Sequence, residues 1–413
     1  MGILMSLVGV ATLIGIAVLL STDRKAINLR TVGGAFGIQA ALGAFVLYVP
    51  IGKDILGGIS SAVSNVISYA NDGIGFLFGD LAKFKVGFIF AINVLPIIVF
   101  FSALIAVLYY MGIMQWVIRI IGGGLQKALG TSRPEAMSAT ANIFVGQTEA
   151  PLVVRPFIPT MTQSELFAIM TGGLASVAGS VLAGYAGLGV PLEYLIAASF
   201  MAAPGGLLMA KLMHPETEEA RQDIDEIGEA DEKPANVLDA AAAGASSGMQ
   251  LALNVGAMLL AFIGLIAMIN GIIGGIGGWF GYGDLSLEII LGYVFAPLAF
   301  LIGVPWEEAL VAGSFIGQKI VVNEFVAYIN FAPYLSGEAL INGVEMSKHT
   351  QAIISFALCG FANLSSIAIL LGGLGAMAPN RRGDLARLGM RAVIAGSMSN
   401  LMSATLAGLF LSL

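Results

Sequence analysis

The amino-acid sequence predicts an all-α polytopic membrane protein: eight transmembrane helices, two oppositely oriented re-entrant hairpins, interfacial helices and an inverted repeat. Three observations carry that expectation. Of 413 residues, 57% are hydrophobic and only 11% are charged, whereas a soluble domain carries about 25% charged residues. Too few polar groups exist to cover a globular surface, so a soluble enzyme is excluded. The apolar residues fall in runs of about 20, the length that crosses a bilayer. Two further apolar stretches hold polar clusters at their centres, where a straight lipid-crossing helix would be costly.

The first run, 2–20, has no basic residue ahead of it and is followed by Arg24, Lys25 and Arg30. A cleavable signal places its charges in front. This run therefore reads as an uncleaved helix, with its N-terminus outside and 21–30 in the cytoplasm. Further spans are expected at 31–51, 88–112, 165–187, 192–213, 249–277, 350–376 and 389–412. Threaded in turn, they put Arg119, Lys127, Arg133, Lys211, Arg381, Arg382 and Arg387 on the cytoplasmic side and both termini on the periplasmic side. Stretches 53–85 and 119–137 look amphipathic and are expected at the interfaces, where 286–304 is also placed as an interfacial or partial span. The 54 glycines lie inside apolar runs, where small residues let helices pack closely. A single cysteine, Cys359, excludes an internal disulfide framework.

The net charge of −7 sits in one place: 216–233 holds nine acids against Arg221 and Lys233. The rest of the chain balances at 17 acids and 17 bases, leaving no basic face for nucleic acid. The stretch 214–235 therefore reads as a solvated acidic cytoplasmic loop.

The two exceptional stretches are 138–160, with Gly146-Gln147-Thr148-Glu149-Ala150-Pro151 at its middle, and 305–333, which contains Gln318, Lys319, Asn323 and Glu324. Half-length helices meeting at a polar tip are tolerated when protein or a water-filled cavity surrounds them. Both stretches are read as hairpins. Phe144-Val145-Gly146-Gln147 resembles Phe315-Ile316-Gly317-Gln318, and each hairpin precedes a helix with a polar break, Gly173–Gly179 in one and Gly360–Ser366 in the other. The shared order of hairpin, broken helix and final helix makes an inverted repeat, the architecture of secondary transporters.

Glu149 and Glu324 are the informative pair, because an ionised carboxylate in an apolar hairpin needs partners. Either could form a structural pair with Arg155 or Lys319. Alternatively, with Gln147, Thr148, Asn323, Asn363, Ser365 and Ser366, they build a binding site. No arginine or lysine accompanies the helix breaks, so the set suits a neutral, polyhydroxylated ligand better than an anion. Phe361 could face a flat ring. His214 and His349 lie at span ends, away from any zinc or iron constellation. No nucleophilic or phosphate-loop pattern supports an enzyme.

The segments 146–157 (GQTEAPLVVRPF), 323–328 (NEFVAY) and 359–375 (CGFANLSSIAILLGGLG) resemble the concentrative nucleoside transporters, most closely the sodium-coupled bacterial members. The resemblance covers essentially the whole chain. It implies a sodium–nucleoside symporter, with a proton-coupled nucleoside symporter as the alternative, and Na+ as the coupling ion without an organic cofactor. It also implies a homotrimer in a bacterial inner membrane, whose transport domain moves like an elevator past a scaffold.

By the same resemblance, residues 1–118 and 236–285 are mainly scaffold, while 119–213 and 286–413 are the two repeats of the transport domain. Carried over by position, Gln147, Thr148, Glu149, Val181, Phe361 and Leu251 would bind the nucleobase. Glu324, Asn363 and Ser366 would bind the ribose, and Asn142, Val145, Ser176 and Val177 would hold sodium.

Overall fold

The computed structural model describes residues 2–83, 89–219 and 234–413. Parts of the expected stretches 53–85 and 88–112 lie outside them, as does 220–233, most of the acidic loop. Among the described residues the chain is helical, and its one β-feature is an isolated bridge between Ile341 and Val344.

Helix α1 (Gly2–Leu19) and α2 (Leu29–Leu47) are joined by a short turn, and Asn28 caps α2 by accepting from the Arg30 and Thr31 amides. Pro50 opens the long amphipathic α3 (Pro50–Phe78). The third span is α4 (Phe90–Asn93) running into α5 (Leu95–Tyr110). Left-handed glycines at 112 and 130 bracket the second amphipathic helix, α6 (Ile113–Leu129).

The first hairpin arm, α7 (Arg133–Ala141), begins five residues before the expected 138, and the interfacial segment ends earlier than the expected 137. The start signal is local: Pro134 sits in the first turn, and Glu135 accepts from the Ser132 amide at 2.9 Å. The second arm, Ala150–Thr160, is a 3₁₀ helix, because Pro151, Pro156 and Pro159 remove amide donors that an α-helix needs.

The fourth span is broken, with α8 (Gln163–Ala175) and α9 (Gly179–Gly187) separated by Ser176-Val177-Ala178. It is followed by α10 (Leu192–Met213) and then α11 (Val237–Gly278), whose 42 residues extend well before the expected 249. At about 1.5 Å per residue, α11 is roughly 63 Å long, twice the hydrocarbon thickness. It lies on α5 through Gly244 and Gly248, whose lack of a Cβ lets Ser102, Ala103 and Ala106 approach.

Helix α12 (Leu287–Leu301) turns by 116° at Gly303 and Pro305 into α13 (Trp306–Val321), so 286–304 does not continue as a straight span. The second hairpin is α13 with α14 (Glu324–Leu335). The seventh span is broken between α15 (Lys348–Leu358) and α16 (Ser366–Met377), and α17 (Arg382–Leu411) starts seven residues before the expected 389.

Helices α1 and α16 are apolar but shorter; among the described residues six helices are long and apolar enough to cross a bilayer, or seven if the bent α12–α13 pair is one span, against the expected eight. Their surroundings differ sharply. The spans 163–187, 192–213 and 379–411 are 89–94% buried, against 11–22% for 29–47, 90–110 and 237–278. The first polar break, 176–178, therefore lies in a span wrapped by protein, whereas the second, 359–365, buries Asn363 but leaves Leu364 exposed.

Helix α17 shows that the hairpins enter from opposite ends. Arg381, just before α17, donates to Met161 O at the base of the first hairpin, whereas Ser412 lies 3.5 Å from His349 Nδ1, beside the base of the second. The first end also gathers Arg30 on Lys127 O and Arg391 on Leu20 O and Met213 O.

There Lys211 is buried against Glu135 and donates to Ser164 Oγ at 2.8 Å. The beginning of the acidic stretch is pinned beside it: Glu216 accepts from Thr162 Oγ1 at 2.8 Å and Glu218 from the Gln163 amide at 3.1 Å. His214 is half-buried with its ring 5.4 Å from Phe167; burial, with Arg391 and Lys211 nearby, lowers its pKa below the usual imidazole value. Because removing one partner strands a buried charge, Lys211→Met is expected to cost about 3–5 kcal/mol. Thermal unfolding in detergent against Glu135→Gln/Lys211→Met checks this: the double variant should recover much of the loss, and equal losses would show no pairing.

Candidate functional site

Each hairpin tip is bonded to its own broken helix, and the two breaks are bonded to each other. Phe144 O accepts from the Gly179 amide at 3.0 Å, Ile320 O from the Leu364 amide at 3.1 Å, and Ser176 O from the Phe361 amide at 3.1 Å. These bonds give the register of the repeat. Asn142 Nδ2 donates to Ser138 O and Gln318 Nε2 donates to Ser314 Oγ, each four residues back. Ser138, Asn142 and Phe144 thus correspond to Ser314, Gln318 and Ile320. The short match of Phe144–Gln147 with Phe315–Gln318 is not an equivalence, since the first lies in a tip and the second inside α13.

At the second tip, Asn323 caps α14 by accepting from the Val326 amide, which places Glu324 as its first helical residue. Glu324 is buried; its Oε1 accepts from Tyr185 Oη at 3.0 Å and its Oε2 from Asn363 Nδ2 at 3.1 Å. Asn363 Oδ1 in turn accepts from Ser365 Oγ, Ser366 Oγ and the Ser366 amide at 2.7–3.1 Å. A carboxylate has about four acceptor sites, and an amide NH2 has two hydrogens. Glu324 therefore keeps acceptor capacity, Asn363 keeps one N–H, and both serine hydroxyls keep lone pairs. That is an arrangement for hydroxyl groups.

Tyr185, which the sequence reading did not single out, is held by ring contacts with Phe325 and Tyr328 at 4.7 and 4.5 Å. Lys319 does not pair with Glu324: its Nζ donates to Ala357 O at 2.8 Å and to Asn400 Oδ1 at 2.6 Å. Asn400 was also missed, although an amide inside an apolar helix is itself a signal.

The first tip differs. Glu149 is exposed and accepts from Thr148 Oγ1 at 3.0 Å, so the two glutamates, expected alike in an apolar setting, are not equivalent. Gln147 is buried against Gly173, where any Cβ would collide with it, and its Oε1 has no partner. Asn142, 1% exposed, likewise has an unpartnered Oδ1 and lies beside Gly172, one turn before the break. Ser176 Oγ donates to Gly172 O at 3.1 Å, and Val145 and Val177 are buried, their carbonyls accepting no hydrogen bond among the described residues. Oxygens without donors are what a hard cation requires.

Val181 is buried on α9, and Phe361 is half-buried in the second break. Leu251 is half-buried on α11 against the same core; none of the bonds above reaches it.

Three family models tile the chain. The model described as Na+ dependent nucleoside transporter C-terminus matches residues 194–408, its N-terminal counterpart matches 8–81, and the model described as nucleoside recognition matches 91–192. The chain belongs to the concentrative nucleoside transporters. It is 54% identical to nucleoside permease NupC of Helicobacter pylori, with 99% of this chain and 98% of that protein aligned. With the putative nucleoside permease NupX of Escherichia coli it shares 47% identity over the whole of both.

Among solved structures, CNTnw in an inward-facing substrate-bound state superposes with a TM-score of 0.95 at 67% identity, covering 100% of this chain and 98% of that one. A CNTnw variant in an outward-facing state gives 0.97 over 100% and 99%. The fold is thus that of a nucleoside transporter with alternating access, not an enzyme.

Proposed function

We propose that this transporter is a sodium-coupled symporter that imports nucleosides across a bacterial inner membrane. The carrying observation is the pair of unlike sites on the two repeats: a donor-poor set of buried oxygens at Asn142, Val145, Ser176 and Val177, and a hydroxyl-reading set at Glu324, Asn363 and Ser366. The first fits Na+ and the second a ribose. Gln147, Thr148 and Glu149 then read the base, with Val181, Phe361 and Leu251 as apolar contacts.

The hairpins with their broken and final helices form the moving body, and α5 with α11 forms part of the scaffold, whose outward apolar residues such as Leu253 and Leu260 suit a homotrimer contact. The face that gathers Arg30, Lys211 and Arg391 is the cytoplasmic one, which leaves both termini periplasmic.

Uptake into proteoliposomes tests the coupling. One Na+ moving with a neutral nucleoside carries charge, so 100 mV inside-negative supplies about 2.3 kcal/mol and drives roughly 40-fold accumulation. Ser176→Ala is expected to weaken sodium activation more than nucleoside selectivity. Accumulation that follows a pH gradient at fixed sodium would favour proton coupling, and flux without accumulation would indicate a passive channel.

A further inference from the structure

We infer that Asn400 on α17 is a positioning residue that couples ion binding in the first repeat to sugar binding in the second, an inference that rests on the sodium and ribose assignments above. Every polar atom of this buried side chain is committed. Its Nδ2 donates to Ala175 O at 2.6 Å and to Cys359 O at 2.9 Å, while its Oδ1 accepts from Lys319 Nζ at 2.6 Å. Ala175 is the last residue of α8, and Cys359 is the first beyond α15. A primary amide has two N–H bonds, and here each goes to a different broken helix.

The surroundings hold the amide in that orientation. Lys319 Nζ is a donor only, so the oxygen of Asn400 must face it and the NH2 must face the two carbonyls. Lys319 is itself fixed by its second bond, to Ala357 O. Gly360 leaves the room: a Cβ there would overlap the Asn400 amide. In the first repeat Ile143 stands in the position of Lys319, so the clamp is one-sided and serves both breaks from a single residue.

What the clamp joins gives it consequence. Ser176, an ion ligand in the proposed site, directly follows Ala175, and its carbonyl accepts from the Phe361 amide. Phe361 and Asn363, which face the nucleoside in that proposal, lie two and four residues beyond Cys359. An ion that orders the first break therefore restrains the second through two parallel links, the Ser176–Phe361 bond and the Asn400 amide. Such coupling is reciprocal: nucleoside must raise sodium affinity by the factor by which sodium raises nucleoside affinity.

The test titrates nucleoside binding to the full-length protein at low and saturating Na+, with choline holding ionic strength constant. The ratio of the two dissociation constants is the coupling factor, typically about 5- to 150-fold in coupled systems. Asn400→Asp keeps the size and the Lys319 contact but sets carboxylate oxygen against carbonyls. Gly360→Ala displaces the amide without changing its chemistry, and Lys319→Met frees it to rotate. All three are expected to bring the factor toward one, in nucleoside titrations and in the reciprocal sodium titrations, with the larger loss of nucleoside affinity in saturating sodium and the smaller at low sodium. Should one variant fail to fold, the other two carry the test.

Variants that lose affinity equally at both sodium concentrations, with the wild-type ratio retained, would show Asn400 to be packing glue and overturn the inference. A wild-type factor of one would instead overturn the sodium reading, and the clamp would fall with it.

Discussion

Glu324→Gln is expected to weaken ribonucleoside binding by about 10- to 150-fold, the equivalent of one charged hydrogen bond of about 1.5–3 kcal/mol. It should also flatten the preference for ribo- over deoxynucleosides. The carboxylate already accepts from Tyr185 and Asn363 on its two oxygens. Glutamine keeps the volume but must turn its NH2 toward one of those donors, so the substitution loses the charge and also disturbs the supporting pair.

A site built to bond a hydroxyl discriminates strongly against analogues lacking it, because its own polar groups are left unpaired. Tyr185→Phe removes one donor to Glu324 without altering the carboxylate, and should produce a smaller loss in the same direction. Titrations with ribo-, 2′-deoxy- and 3′-deoxynucleoside measure both variants. If Glu324→Gln keeps the full ribo-over-deoxy preference, the sugar is read elsewhere and the assignment of the second hairpin to ribose fails. Base substitutions should be felt mainly by variants at Gln147, Thr148 and Glu149.

Cross-linking α11 to α14 is expected to abolish transport while leaving nucleoside binding largely intact. The two helices touch, yet α11 packs chiefly on α5, whereas α14 is an arm of the second hairpin. In the proposed mechanism one belongs to the stationary body and the other to the moving one, so a covalent link freezes the cycle without occupying either site. The experiment needs engineered cysteine pairs in a Cys359→Ser background, because Cys359 is the native thiol and is buried. Reduction should restore uptake. Undiminished uptake by a fully cross-linked protein would mean that these helices travel together.

Much of this architecture was legible locally. The breaks at 176–178 and 359–365 fall where Gly, Ser and Asn interrupt apolar runs, and the second hairpin occupies the expected 305–333 almost to the residue. The boundary errors have local causes too. Ser132, Pro134 and Glu135 announce a helix start that hydropathy does not weigh, so the first hairpin begins earlier than apolar character alone suggests. Charged residues such as Asp384 and Arg387 hide the first turns of α17, because a helix continues past the membrane surface without becoming apolar.

The candidate site divides along the same line. Glu324, Asn363 and Ser366 were identifiable because polar groups inside apolar segments are costly and therefore informative wherever they occur. Their wiring was not. Tyr185 reaches Glu324 across 139 residues, and Asn400 reaches Ala175 across 225. Tyrosine and asparagine in a helix carry no mark of the partner they will meet.

By itself, the sequence determined that this is a helical membrane protein with two polar hairpins facing two broken helices, since the hydrophobic effect and the cost of an unsatisfied backbone act on each segment separately. Only the tertiary structure decided that Glu324 is buried between two donors while Glu149 is exposed, that Lys319 serves Asn400 instead of a glutamate, and which residues of the two repeats correspond. Those outcomes depend on which helices pass one another within hydrogen-bonding distance, a property of the packed chain that no single segment contains.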